Sequence, residues 1–187
     1  MSKICTDSGR GTQSPAALSR RHAVAGMAAL LLLAQPAAAD DAIAKLIQLS
    51  EESNTVLMRG DIEKYRALVT YTSDFTLMSP FGGTPTYGAQ YTPEQWEKMG
   101  RFFRNGTFKQ EIVQAYGSAD MVVLAIIERP NVEVGGLAAQ DWALRVTLVY
   151  RRAGTEWHLV HRHADPLANG ISLQQAAALA RGLPVGN

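Results

Sequence analysis

Cysteine and histidine are scarce in this chain, and their scarcity excludes several kinds of chemistry. The one cysteine among 187 residues is Cys5, close to the N-terminus. The rest of the chain therefore has no disulfide, no thiolate nucleophile and no cysteine metal site. Of the four histidines, His158, His161 and His163 lie in one short run near the C-terminus. Every imidazole beyond the N-terminal segment thus belongs to a single predicted strand.

Long apolar runs are also lacking, apart from one at residues 23–34. That run is too short to span a bilayer of about 30 Å as a helix. It follows Arg20-Arg21 and precedes a small-residue site at residues 37–39. We therefore expect residues 1–39 to be an export signal, cleaved before Asp40. The arginine pair favours the twin-arginine route over the general secretory route.

Cleavage at that point predicts a periplasmic or secreted protein, with residues 40–187 forming one domain of sufficient size for its own core. No second apolar run predicts a membrane segment once the signal is removed.

A strong net charge of either sign is absent as well. The whole chain carries 18 Lys+Arg and 17 Asp+Glu, and residues 1–39 hold four of the former and one of the latter. The remaining 14 basic and 16 acidic residues give a formal charge of −2. This is not the basic footprint of a nucleic-acid-binding protein. No phosphate-binding glycine loop, nucleophile elbow or zinc-protease motif occurs, so we expect no cofactor and no nucleic-acid partner.

Helices are predicted in the first half of the domain and at its end. Apolar residues spaced three and four apart predict a helix from Ile43 to Met58, and Asp61 can cap a shorter second one. Capping boxes predict the starts of a third helix at Thr92 and of a short C-terminal helix at Ser172.

Strands are predicted where the hydrophobic period changes to two. The predicted strands lie at about 75–79, 107–117, 120–133, 139–152 and 156–166, separated by glycine-rich turns. Helices followed by an antiparallel meander indicate an α+β domain. We expect a cone-shaped curved antiparallel sheet that encloses a pocket together with three N-terminal helices, plus the short C-terminal helix.

Two segments resemble a known superfamily. Residues 71–82, YTSDFTLMSPFG, are similar to the first-strand segment of ketosteroid isomerases. The hairpin at residues 145–163 is similar to the closing hairpin of SnoaL-like proteins and to the hub domain of calmodulin-dependent kinases. The order of elements resembles the nuclear transport factor 2-like superfamily, in its SnoaL-like branch. The resemblance implies the cone fold but no particular activity, because this fold hosts isomerases, hydrolases, cyclases and non-catalytic modules.

The isomerase mechanism does not transfer residue by residue. Where those enzymes have the proton-shuttling carboxylate, this chain has Ser79, and the position of their protonated aspartate falls near Thr147. A serine hydroxyl without a neighbouring base does not take a proton from carbon near neutral pH.

The last two strands can be oriented in two ways. Alternation puts Leu159, His161 and His163 on one face, and His158 and Arg162 on the other. In the hairpin, Arg145 and Thr147 are expected to share the face of Arg162. Hydrophobicity buries the face that carries Trp, Leu, Val and Tyr, whereas the resemblance points the Arg145, Thr147 and Arg162 face into the pocket. Both statements hold if a homodimer packs through the outer face of the sheet.

Two functions remain open. The favoured one is binding of a small, anionic or polar-headed organic ligand, since paired guanidiniums suit a carboxylate. Its candidate residues are Arg145, Arg162, Thr147, Ser79 and Tyr116. The alternative for the two arginines is ordinary salt bridges to Glu128, Glu133 or Asp141. Tyr65 and Tyr71 are further hydroxyl donors.

The alternative is an acid–base enzyme of the isomerase, hydratase or cyclase kind. Its base is His161 or His163, oriented by Asp165 or Glu128. Two imidazoles and a carboxylate could also hold a divalent metal, but ligands from a single strand make a poor site and we expect none. Histidines of a core or an interface remain a third interpretation.

Overall fold

The computed structural model describes residues 35–88 and 91–182. Four helices lie in this part of the chain: α1 (Gln35–Met58), α2 (Ile62–Leu68), α3 (Pro93–Phe102) and α4 (Leu173–Ala180). The predicted caps are confirmed, because Asp61 accepts a hydrogen bond from the Lys64 amide and both capping boxes are formed. Most of the predicted export signal, residues 1–34, lies outside the described residues. No helix of the described ranges is long and apolar enough to cross a membrane.

The strands form two sheets. Their bounds are β1 (Tyr71–Met78), β2 (Thr86–Tyr87), β3 (Phe103–Thr107), β4 (Gln110–Gly117), β5 (Met121–Glu128), β6 (Asn131–Val134), β7 (Leu137–Asp141), β8 (Leu144–Ala153) and β9 (Glu156–Pro166). The larger sheet has the order β2-β1-β9-β8-β5-β4, and the smaller one has the order β3-β6-β7. The predicted α+β fold with a curved, mostly antiparallel sheet is confirmed. One pair differs from the expected meander, because β1 runs parallel to β9.

Two predicted strands are each divided. The run predicted at 120–133 is divided into β5 and β6 at Pro130, which has no amide hydrogen for a ladder. The run predicted at 139–152 is divided at Trp142, whose amide donates to the Pro130 carbonyl oxygen. The two segments therefore leave the large sheet together and pair with each other, as β6 and β7, in the small sheet.

Asn105-Gly106 lies inside β3, not at the end of α3. Gly106 is required there by a close approach of two backbones: an added Cβ would lie 2.7 Å from the Met58 carbonyl oxygen and 2.8 Å from Val132. This contact holds β3 against the C-terminal end of α1.

The core lies between the helices and one face of the large sheet, which we call the inner face. Its buried residues come from alternate positions of three strands: Val122, Leu124, Ile126, Leu144, Val146, Leu148, Tyr150, Leu159 and Ala164. The hydrophobic interpretation of the hairpin is therefore correct for β8. The opposite face, the outer face, carries the intervening residues.

A β-bulge in β9 decides which residues lie on each face. Tyr150 pairs with Leu159 and Val149 pairs with His161, so Val160 is an extra residue in the ladder. A shift of one residue moves each following side chain to the other face. Beyond the bulge Thr147 pairs with His163, whereas a regular hairpin would have paired it with Arg162.

Candidate functional site

A cavity of about 440 Å³ lies between the inner face, the small sheet and helices α1, α2 and α3. Its volume is within the usual range for small-molecule sites, about 300–1,000 Å³. Most of its lining is aliphatic or aromatic, including Leu57, Met58, Phe75, Leu77, Met99, Phe102, Phe103, Val132, Val134 and Leu144. Apolar ligand surface placed in such a cavity is removed from water, which favours binding.

Phe81 belongs to an aromatic group at the cavity. Its ring packs edge-on against Phe102, with ring centres 5.6 Å apart, and against Trp142 at 6.0 Å. Phe81 follows the end of β1 and is 54% exposed although it lines the cavity. The loop after β1 therefore contributes a half-exposed aromatic ring to the cavity lining, and Ser79 is another lining residue of this loop.

An ion pair is the main polar feature of the cavity. Glu128 at the end of β5 is 2% exposed, and Arg162 of β9 donates two hydrogen bonds to it, at 2.7 Å to Oε1 and 2.6 Å to Oε2. Asn54 of α1 donates to the same carboxylate at 3.4 Å. Burial disfavours the charge of Arg162, but the adjacent carboxylate outweighs this and the pKa of the guanidinium is raised. The pair is bidentate and mutually neutralised.

A second polar group is a pair of tyrosines. The hydroxyls of Tyr65 and Tyr71 lie 2.7 Å apart, and both residues line the cavity. Burial raises the pKa of both hydroxyls, and the charge of Arg162 opposes this only in part. Both therefore remain protonated at neutral pH. Because one hydroxyl donates to the other, the second keeps a hydrogen that a ligand acceptor can use.

Trp142 carries a third polar group. Among the described residues its indole Nε1 is the one buried side-chain nitrogen or oxygen without a hydrogen-bond partner. A buried polar group left unpaired costs about 1–3 kcal/mol. Trp142 lines the cavity, but its Nε1 atom is itself buried, so the N–H is not exposed to the cavity.

Only two of the five predicted ligand-binding residues line the cavity. Arg162 and Ser79 line the cavity as expected. The expectation that Arg145 and Thr147 line it is wrong, because they pair with Ile127 and Ala125 on the outer face. The bulge at Val160 is the cause, since it separates their face from that of Arg162. Tyr116 is also outside the cavity, 59% exposed on the sheet edge.

The residues predicted for catalysis lie on the outer face. His161 pairs with Val149, His163 with Thr147 and Asp165 with Arg145. His161 Nδ1 is 2.6 Å from the Thr76 hydroxyl, and His163 Nε2 is 3.3 Å from the Asp165 carboxylate. The predicted separation of His158 from these two histidines is wrong, because the bulge leaves all three on the outer face. No group of three or more metal-ligating side chains occurs in the ranges that the structure describes.

The sequence suggested Glu128 both as a residue that orients a histidine and as one of three possible salt-bridge partners of the arginines, and the structure shows the pair with Arg162. A signal that would have favoured Glu128 over the other two was present. Glu128 is the one charged residue in the run of buried positions Val122, Leu124 and Ile126 along β5. A charge on a buried face requires a partner. Only the register of β9 shows that Arg162 is that partner. This register cannot be predicted without knowledge of the bulge at Val160.

A family model for the SnoaL-like domain matches residues 47–168, more than half of the chain. The chain therefore belongs to the SnoaL-like family, within the nuclear transport factor 2-like superfamily. A comparison with curated proteins gave no match.

Solved structures share the fold at low identity. An NTF2-like protein of unknown function from Pseudomonas putida is 23% identical, covers 67% of this chain and 87% of its own, and has a TM-score of 0.51. A putative dehydratase of the NTF2-like family from Streptomyces avermitilis is 17% identical, with coverages of 70% and 99% and a TM-score of 0.56. The association domain of C. elegans CaMKII is 13% identical, with coverages of 68% and 98% and a TM-score of 0.50.

Proposed function

We propose that this SnoaL-like domain binds a small, largely apolar organic molecule with a polar head in its inner-face cavity. The observation that supports this most is the combination of about 440 Å³ of mainly apolar space with two polar features, the Glu128–Arg162 pair and the two tyrosines. Concave apolar sites with a few converging polar groups are typical of small-molecule sites.

We do not retain the interpretation that the guanidiniums of Arg145 and Arg162 together bind an anionic ligand. Arg145 is on the outer face with its side chain 64% exposed, 3.7 Å from Asp165. Arg162 is already held by Glu128. The acid–base alternative loses its support in the same way, because His161 and His163 do not line the cavity.

Filling the cavity tests the proposal. We expect Leu77→Trp, at a lining position of β1, to abolish saturable binding of the fluorescent apolar probe N-phenyl-1-naphthylamine by occupying its space. Leu137→Trp, at an exposed position of β7, is the matched control and should bind as the wild type does. Circular dichroism and thermal unfolding establish that both variants are folded. Saturable binding that survives in the folded Leu77→Trp protein would contradict the proposal.

The outer face supports a second proposal, that the chain forms a homodimer through it. Val123, Ala125 and Ile127 of β5, together with Val149 of β8, form an apolar patch, and the histidines of β9 lie on the other side of β8. Met121 and Tyr116 extend this patch with exposed apolar surface. An isologous contact of this kind would cover a face that no described element of the chain covers. One structural neighbour is itself an association domain.

Light scattering coupled to size-exclusion chromatography tests the dimer. We expect twice the monomer mass for the wild type and for Leu137→Glu, and the monomer mass for Val149→Glu, which places a carboxylate in the patch. A monomeric wild type, or a dimeric Val149→Glu protein, would refute this arrangement.

Export remains a proposal based on the arginine pair and the apolar run of residues 20–34. We expect the full chain, expressed in a bacterium with a twin-arginine system, to be recovered from the periplasm with Asp40 as its first residue. Arg20→Lys combined with Arg21→Lys should leave the precursor in the cytoplasm. Unchanged processing of that variant would show that another route is used.

A further inference from the structure

The ion pair of the cavity has a consequence for the class of ligand. Glu128 is 2% exposed and accepts both hydrogen bonds of a guanidinium edge, while Asn54 approaches the same carboxylate. Arg162 therefore compensates a buried carboxylate that belongs to the protein. A carboxylate of a ligand would have to compete with Glu128 for that guanidinium.

Such competition is unfavourable. A second carboxylate beside Glu128 would leave one of two negative charges uncompensated in a site of low dielectric, and an unpaired buried charge is strongly unfavourable. A ligand ammonium meets the equivalent difficulty with Arg162. Lys98 of α3 is the other charged lining residue, and it is exposed, so water solvates its charge.

Neutral polar groups find better partners. The tyrosine pair keeps one hydroxyl hydrogen for an external acceptor, and both hydroxyls stay protonated. This hydroxyl is a neutral donor that suits a carbonyl, ether or hydroxyl oxygen.

We propose that the cavity selects uncharged ligands, largely apolar molecules with a hydrogen-bond acceptor oxygen, and that the Glu128–Arg162 pair excludes carboxylates and sulfonates. The proposal rests on the proposed function of the same cavity. It makes Glu128 a specificity-determining residue, whose role is to cancel the charge that an anionic ligand would need.

Two matched fluorescent probes test it on the wild-type chain. N-phenyl-1-naphthylamine and 8-anilino-1-naphthalenesulfonate share one skeleton and differ by a sulfonate. Cavity binding is taken as the saturable part that is lost in Leu77→Trp and kept in Leu137→Trp. We expect the neutral probe to bind the cavity at least about tenfold more tightly, which corresponds to about 1.4 kcal/mol. A smaller preference, or one for the sulfonate, would overturn the proposal.

Glu128→Gln tests the assigned residue. This near-isosteric change frees the positive charge of Arg162, so we expect the ratio of sulfonate affinity to neutral-probe affinity to rise by about tenfold or more. Lys98→Met is the control for the exposed cation, and it should leave the preference of the wild type unchanged. If Lys98→Met rather than Glu128→Gln alters sulfonate affinity, Lys98 sets the charge selectivity and the proposal fails.

A third comparison concerns the acceptor. Wild-type protein should bind 2-acetylnaphthalene more tightly than 2-ethylnaphthalene, and Tyr65→Phe combined with Tyr71→Phe should reduce that difference, since both hydroxyls are lost and the rings kept. Equal affinity of the wild type for these two ligands would contradict an acceptor site.

The outcomes separate the two proposals. If no probe shows cavity-dependent binding, the ligand-binding function itself fails. If the sulfonate binds the cavity as well as the neutral probe does, the function stands and the charge selectivity fails. If Glu128→Gln does not fold, the wild-type comparison of the two probes still decides the selectivity.

Discussion

The two faces of the large sheet contain the same kinds of residues but use them differently. On the inner face, Arg162 makes two short hydrogen bonds to a carboxylate that is almost fully buried. On the outer face, Arg145 lies 3.7 Å from Asp165 and both side chains are about half exposed or more. An arginine–carboxylate pair on one face is thus part of the core, and on the other it is a solvated surface contact.

The distribution of chemistry follows from this difference. The histidine run attracts attention in the sequence, yet it lies on the face away from the cavity, where His161 contacts Thr76 of the neighbouring strand. The polar groups of the cavity come instead from dispersed positions, in helices and strands far apart along the chain. For this fold, a local cluster of reactive residue types is a weaker guide than the charges that occur at buried positions.

The largest expected difference between the faces is in stability. We expect Arg162→Met to reduce the free energy of unfolding by about 3–5 kcal/mol, because it leaves Glu128 buried without its partner. Arg145→Met should cost less than about 1 kcal/mol, as expected for an exposed pair. Urea unfolding followed by circular dichroism measures both. Equal losses for the two variants would show that the faces do not differ in this way.

A second difference is expected in alkaline solution. Burial raises the pKa of Tyr65, Tyr71 and Tyr150 above the ordinary value near 10. Since the unfolded chain loses these protons first, the stability that they contribute is complete below pH 10 and falls as pH rises further. Each such tyrosine can lower the free energy of unfolding by up to about 1.4 kcal/mol per pH unit above 10.

Unfolding measured between pH 9 and 11 tests this expectation. Tyr71→Phe should make the loss of stability with pH less steep than in the wild type. Tyr116→Phe, which changes an exposed ring at the edge of the sheet, is the matched control and should retain the wild-type slope. A slope that responds to Tyr116→Phe and not to Tyr71→Phe would be inconsistent with the buried pair.

The smallest effect is expected from the histidines. Because His161 and His163 do not line the cavity, their joint replacement by alanine should change the affinity for N-phenyl-1-naphthylamine by less than about twofold. Fluorescence titration at neutral pH provides the measurement. A loss of about tenfold or more would connect the outer face to the cavity and weaken the contrast between the two faces.

Much of the fold could be predicted from the sequence, because local signals determine it. The capping boxes at Thr92 and Ser172 set two helix starts, and alternation along residues 144–150 identified the buried face of β8. Less of the site could be predicted. The bulge at Val160 has no glycine or proline to mark it, yet it moves His161, Arg162 and His163 by one register. The pairing of Glu128 with Arg162 depends on that register and on the order of three strands.

Four methionines provide the most direct test of the central claim, that the inner face binds the ligand. Met58 and Met99 line the cavity, whereas Met78 and Met121 are exposed at the large sheet, where Met78 pairs with His163. The protein can be labelled at its methionine methyl groups with carbon-13 and titrated with N-phenyl-1-naphthylamine. We expect the methyl resonances of Met58 and Met99 to shift saturably while those of Met78 and Met121 stay in place. Shifts confined to Met78 and Met121 would place binding on the outer face and contradict the claim.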